Sequence, residues 1–189
     1  TDFSWREFVR RNNDELVATY GNLVHRVLTI TFRNFEGKVP VPGELDERSN
    51  SLIDRSYETF ADVAGMISVC RFREAMRNIM GLAQEANRYL DEKAPWKAIK
   101  QDREAAGTSL YVALTLISAL KTMLTPFLPF TSQKLHGLLG LPGSVEELGW
   151  EIAEIAPGQQ LSKPEPLFVK LDEALVAEED ARMEGARAD

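Results

Sequence analysis

Residues 102–124, DREAAGTSLYVALTLISALKTML, decide the fold. The stretch holds no proline, and its apolar side chains fall on nearly every side of a helical wheel. It therefore predicts a helix enclosed by other helices, the centre of an all-α bundle. Lys121, Pro126 and Pro129 interrupt the apolar run before it reaches the roughly 20 residues needed to cross a bilayer, so a buried helix is expected and no membrane partner.

The flanking sequence supplies the helices that would enclose it. On the N-terminal side, Phe72, Met76, Ile79, Ala83, Ala86 and Leu90 form a stripe that ends before Pro95, because the residue preceding a proline is driven out of helical geometry. Ile53, Tyr57, Phe60, Ala64 and Ile67 form another, in a helix from beyond Leu45 to about Val69. Ser4, with Glu7 three residues on, opens a long first helix. Its apolar positions Phe8, Leu16, Tyr20, Leu23, Val27 and Thr31 carry it to about Asn34. Gly37, Pro40, Pro42 and Gly43 then make a loop. On the C-terminal side, Leu135, Leu138 and Leu139 mark a fifth helix that stops at Gly140, where glycine suits a left-handed cap.

The organisation expected is thus a bundle of about five helices over residues 1–140. An irregular segment over 141–170, rich in glycine and proline and closing on an extended Leu167–Lys170, packs on the bundle. An acidic, solvated C-terminal helix or tail follows over 171–189, and strand content is close to nil.

Apolar and charged contents of 44% and 27% exclude the disordered and collagen-like classes. Cys70 is the single cysteine and His25 and His136 the only histidines. No disulfide can close within the chain, the ligands are too few for a structural zinc site, and a reducing, cytoplasmic setting is expected. The start lacks the basic and apolar regions of a signal peptide, and a chain opening at Thr1 without methionine reads as a segment excised from a longer protein.

The net charge of −7 argues against nucleic acid at first sight. Residues 171–189 hold seven acidic and two basic groups, and residues 141–170 five and two, which leaves the first 140 residues with 18 basic against 17 acidic. A nearly neutral body with an acidic tail leaves room for a local basic face. No glycine-rich phosphate loop, paired histidines or nucleophile with its base is present. Catalytic residues, a bound metal and a cofactor are therefore not expected of this chain by itself.

The segment that carries chemistry is residues 87–100, NRYLDEKAPWKAIK. A tryptophan ordinarily fills a core. Here Trp96 is bordered by Lys93, Lys97 and Lys100, whose ammonium groups require water or phosphate, so the indole is placed where apolar and wet surroundings meet. The turn fixed by Pro95 suits a platform for an unstacked base, and such stacking contributes about 1–3 kcal/mol per base.

Asn87, Tyr89, Pro95 and Trp96, in the pattern N-R-Y-x-x-x-x-x-P-W, resemble the anticodon-binding motif of methionyl-tRNA synthetases, a class I family. Residues 21–28, GNLVHRVL, Arg33-Asn34, residues 72–76, FREAM, and residues 166–168, PLF, match the same domain in order and spacing. The resemblance covers about residues 3–170. It implies recognition of the CAU anticodon of methionine tRNA, with Trp96 stacking on an anticodon base and Pro95 setting the turn.

The resemblance also places Arg33 where the family reads the wobble cytosine, whose O2 and N3 acceptors a permanently charged guanidinium can engage in a single-stranded loop. Thr29, one helical turn earlier, stands where bacterial relatives often carry asparagine and offers a hydroxyl instead. Lys93, Lys97 and Asn87 complete the expected contact set, although a helical asparagine more commonly bonds nearby backbone. Arg33 has an ordinary alternative as well, a cation favoured at a helix C-terminus by roughly 0.3–1 kcal/mol. Trp150, among Glu146, Glu147, Glu151 and Glu154, reads as a packing anchor.

The implied partners are methionine tRNA and a catalytic domain of the same synthetase, which uses ATP and methionine; DNA is not among them. The HIGH and KMSKS signatures of that domain and its cysteine-rich zinc insertion do not occur in this sequence. Two other readings remain open at this point: the corresponding domain of a leucine-, isoleucine- or valine-type class I synthetase, and a helical protein-interaction module favoured by the acidic C-terminal segment.

Overall fold

The computed structural model describes residues 3–185. The expected central helix is α6, Arg103–Leu124, opened by Asp102, whose side chain accepts from the Ala105 N–H. Seventeen of its 22 residues are buried, so it is enclosed on nearly all sides. It is long and apolar enough to cross a membrane, yet 89% of its apolar window lies inside the fold.

Two 22-residue helices pack on it and on each other: α3, Glu47–Ser68, and α4, Phe72–Lys93. Asp46 caps α3 by accepting from the Ser49 N–H. In α4 the stripe read in the sequence faces inward through Ile79, Ala83, Ala86 and Leu90, whereas in α3 the buried line is Leu52, Ser56, Thr59 and Val63, one residue before the stripe expected there, so that Ile53 and Phe60 flank the core and Tyr57 is exposed. α7, Pro129–Leu138, lies on the far end of α6 and stops before Gly140, which takes φ 71°. A side chain at Gly140 would strike the Gln160 carbonyl oxygen, so the close approach requires glycine.

The long first helix expected over 4–34 is one continuous helical run, but not a uniform α-helix. α1, Trp5–Arg11, leads into a π-helical segment, Asn12–Gly21, and then α2, Asn22–Asn34. The π-helical segment is where a distant part of the chain docks. Asn12 and Asn13 donate to the Val169 and Leu171 carbonyls, and Phe168 seats against Gly21 so closely that a Cβ there would lie 3.0 Å from its ring. The Thr19 hydroxyl donates to the carbonyl of Asp14, five residues back.

The irregular segment includes one short helix, α8, Val145–Leu148, with a capping box between Ser144 and Glu147. It is tied into the bundle by the Val39 N–H to the Gln159 carbonyl, 2.9 Å, the Gly158 N–H to the Val39 carbonyl, 2.8 Å, and the Leu161 N–H to the Gly37 carbonyl, 2.7 Å. A single antiparallel bridge, Lys38 with Gln160, represents β-structure among the described residues.

The acidic stretch forms α9, Ala174–Gly185. It is not simply solvated: it returns to α1, where the Trp5 indole N–H meets the Met183 sulfur at 3.2 Å. Trp150 stacks on Phe60 at 5.0 Å, the packing role expected of it. Counting the short α5, Pro95–Ala98, the described residues hold nine α-helical pieces against the five of the bundle and the acidic helix anticipated, because the π-helical segment divides the first helix and α5 and α8 are brief helices where turns and irregular chain were read.

Candidate nucleic-acid interface

α4 cannot continue past Lys93. Pro95 has no N–H to give and crowds residue 94 out of the right-handed helical region. Ala94 answers by adopting φ 42°, ψ 55°, a left-handed conformation that costs a residue with a Cβ about 1–2 kcal/mol. Its N–H returns to the Leu90 carbonyl, and Pro95 starts α5, Pro95–Ala98, carrying Trp96 at its second position.

This reversal sets the indole against α2. Trp96 is partly buried, packed against the core, and the Arg26 guanidinium lies over its ring at 4.8 Å. Arg26 is held there by Asp91 of α4, 2.8 Å away. Three elements therefore converge on one aromatic ring. Lys97 and Lys100 remain exposed beside it, and neither forms an ion pair or hydrogen bond among the described residues.

Arg33 stands seven residues beyond Arg26, two helical turns, and so lies on the same face of α2 about 10 Å further along its axis. Thr29 is partly buried between them. The helix-end role open to Arg33 is filled by another cation. Arg103 donates to the Asn34 carbonyl at 2.5 Å and lays its guanidinium on Phe35 at 4.8 Å, while the Asn34 side chain donates to the Ile30 carbonyl. Arg33 itself is exposed and makes no ion pair or hydrogen bond among the described residues.

Two expected contact residues are engaged elsewhere. Lys93 is ion-paired with Asp46, the cap of α3, and sits 5.7 Å from the Tyr89 ring. That ammonium, followed by the Ser49 hydroxyl and N–H, holds the Asp46 carboxyl well below the usual carboxylate range. Lys93 thus joins the end of one helix to the start of another, and its charge is not open to phosphate as the sequence reading had it. The Asn87 amide donates to the Thr19 and Ala83 carbonyls, both at 3.1 Å, which directs its donors inward and fastens α4 to the π-helical segment. Tyr89 is buried, its hydroxyl 2.8 Å from the Ser49 hydroxyl. Pro95 is buried too.

Arg26, Asp91, Phe35 and Arg103 were missed by sequence reasoning. A signal existed for the first, since Arg26 and Arg33 share a helical face by spacing alone. Arg103 and Phe35 are 68 residues apart and carried none.

His136, read as an ordinary side chain, belongs to a buried pair. Its Nε2 lies 2.8 Å from the Pro142 carbonyl, which can only accept, so the proton is on Nε2 and the Nδ1 lone pair receives the Lys121 ammonium at 3.1 Å. Lys121 is fully buried in α6, and loss of water around it pulls its pKa down to about 8. No group of three metal-ligating side chains occurs among the described residues.

Residues 39–188 match the family model described as the anticodon binding domain of methionyl tRNA ligase, and residues 1–28 match the model for class I tRNA synthetases (M). A methionine–tRNA ligase from Dehalococcoides mccartyi is 56% identical over 183 residues, 97% of this chain and 33% of that protein. One from Roseiflexus castenholzii is 44% identical over 209 residues, covering 97% and 35%. The apo methionyl-tRNA synthetase of Mycobacterium tuberculosis superposes with a TM-score of 0.83 at 26% identity, over 90% of this chain and 35% of that one. The chain spans about a third of the length of the curated relatives it matches.

Proposed function

The chain belongs to the family of the anticodon binding domain of methionyl tRNA ligase, and from that membership we propose that it receives the anticodon loop of methionine tRNA on the face built by α2 and α5. The observation that supports this most is the convergence of Arg26, Asp91 and Trp96 beside the unpaired Arg33, Lys97 and Lys100. An aromatic ring at the protein surface with free cations around it is the arrangement that binds unstacked bases and their phosphates.

The planar guanidinium of Arg26 already occupies a stacking position on the indole. A base entering the site takes that position, and the displaced cation is left among the phosphates of the same loop. Pro95 and the left-handed Ala94 fix the height of the ring by fixing the backbone beneath it. Arg33, on the same face, supplies donors to the pairing edge of a neighbouring base, the wobble cytosine of CAU, and Thr29 adds a hydroxyl. Asn87 and Lys93 serve this site through the fold and not by touching RNA.

In the longer ligase such binding selects the tRNA and orients it toward a catalytic domain that joins methionine to it with ATP; those substrates belong to that other part. Recognition energy gained here then appears partly as rate there. The role places the protein in the cytoplasm with the rest of the translation machinery.

Titration of the chain with a CAU anticodon stem-loop tests the reading. Trp96→Ala is expected to weaken binding more than tenfold with the helical circular dichroism signal intact, a loss of the size of one stacked base. Equal affinity of the variant and the parent chain rejects the platform role.

A further inference from the structure

The outer face of α4 carries a line of side chains that the anticodon site does not use. Arg73, Arg77, Gln84 and Arg88 stand four, seven and four residues apart, so at 3.6 residues per turn they fall within an arc of about 60°. Arg77 and Arg88 are exposed, and neither is held in an ion pair or hydrogen bond among the described residues. The neighbouring carboxylates are taken: Glu74 by Arg71, Glu85 and Glu92 by Arg48, and Asp91 by Arg26. Arg77 and Arg88 are therefore left without an ion pair among the described residues, although Glu74 lies close enough to Arg77 to feel its charge.

Beside this line, between α4 and the first helical run, lies an open groove of about 670 Å³. Met76 and Met80 are in its lining, with Arg73, Arg77 and Gln84 on one side and Arg11 and Glu15 on the other. The line of arginines continues into the other site. From Arg88 the helix runs on for less than one turn to Asp91, the residue that holds Arg26 on Trp96. From Arg77 to Arg88 the distance along the axis is about 16 Å.

Resting on the proposed anticodon site, we infer that the α4 face is a track for the sugar-phosphate backbone of the RNA stem above the anticodon loop, with Arg77 and Arg88 as its phosphate contacts. A stem whose loop is splayed at Trp96 must leave along one side of the bundle. On this side two exposed cations outside any ion pair among the described residues, Arg88 and then Arg77, lead away from the loop site. Contacts of this kind position the RNA and carry no sequence information.

The test compares the chain with the Arg77→Gln/Arg88→Gln variant on three probes: a CAU stem-loop, the same stem with a changed anticodon, and a short single-stranded oligonucleotide holding the loop sequence alone. Each lost phosphate contact should lower the salt dependence of binding, the slope of log K against log salt, by about 0.7–0.9. Each should also weaken both stem-loops by about two- to fivefold at moderate salt, the scale of exposed charge pairs. Binding of the loop-only oligonucleotide should not change.

An unaltered slope overturns the track and leaves the Met76–Met80 groove as a surface for protein. A loss that extends to the loop-only probe also overturns it, by moving Arg88 into the loop site. The anticodon reading is judged separately, on the parent chain's preference for CAU over the changed anticodon. That preference stands if the arginines prove silent, and its absence counts against the loop site whatever the arginines do.

Discussion

Arg33 and Arg103 divide the end of α2 between them, and a substitution in each should separate their work. Arg103 satisfies the Asn34 carbonyl and covers Phe35, so its guanidinium belongs to the fold. Arg33 is open to solvent. Arg33→Gln is expected to leave the unfolding midpoint within experimental error while eroding discrimination against a changed wobble base more than total affinity. Binding titrations with stem-loops differing only at that base would read this out, and equal losses on every anticodon would mean that Arg33 meets only phosphate. The sequence singled out Trp96 and Pro95 through a proline-bounded helix end and a run of lysines, whereas Arg33 was singled out by the resemblance alone; the structure places Trp96 partly buried and Arg33 exposed. The sequence could not disclose that Lys93 would turn to Asp46 or that Arg26 would cover the indole, since those depend on partners 47 and 70 residues away.

At the scale of elements, the helices that were anticipated are those whose ends carry their own chemistry. Asp46 and Asp102 each accept from the backbone N–H three residues on, and Pro95 and Gly140 halt the chain where the sequence indicates. Asp102→Ala should therefore cost about 1 kcal/mol in urea unfolding, the usual worth of such a cap, with little change in the denaturant slope. A loss below a few tenths would mean that burial alone sets the start of α6. The π-helical segment was invisible for the complementary reason. Asn12, Asn13 and Gly21 of this segment meet Phe168, Val169 and Leu171, partners too distant in the chain to be read from the sequence. The wrap itself was legible from its prolines and glycines, but its hydrogen bonds to the loop at Gly37 and Val39 were not.

For the molecule as a whole, the family match removes the leucine-, isoleucine- and valine-type alternative, and α9 packing on α1 gives the acidic segment a place within the fold. The buried Lys121 adds a global property. Above about pH 8 the native chain has released this proton while the unfolded chain keeps it up to about 10.5, so stability should rise with pH across that interval. The rise is on the order of a few kcal/mol. The difference in unfolding free energy between the parent chain and Lys121→Met isolates it from Tyr20 and Tyr89, whose ionisation burial opposes. A difference independent of pH would show that the ammonium is solvated. Decoding, however, depends on one ring. With Trp5 and Trp150 replaced by phenylalanine, the fluorescence of Trp96 should be quenched on titration with a CAU stem-loop and much less at the same concentrations when the anticodon is changed. Emission that stays constant, or that falls equally for every anticodon, would contradict the account.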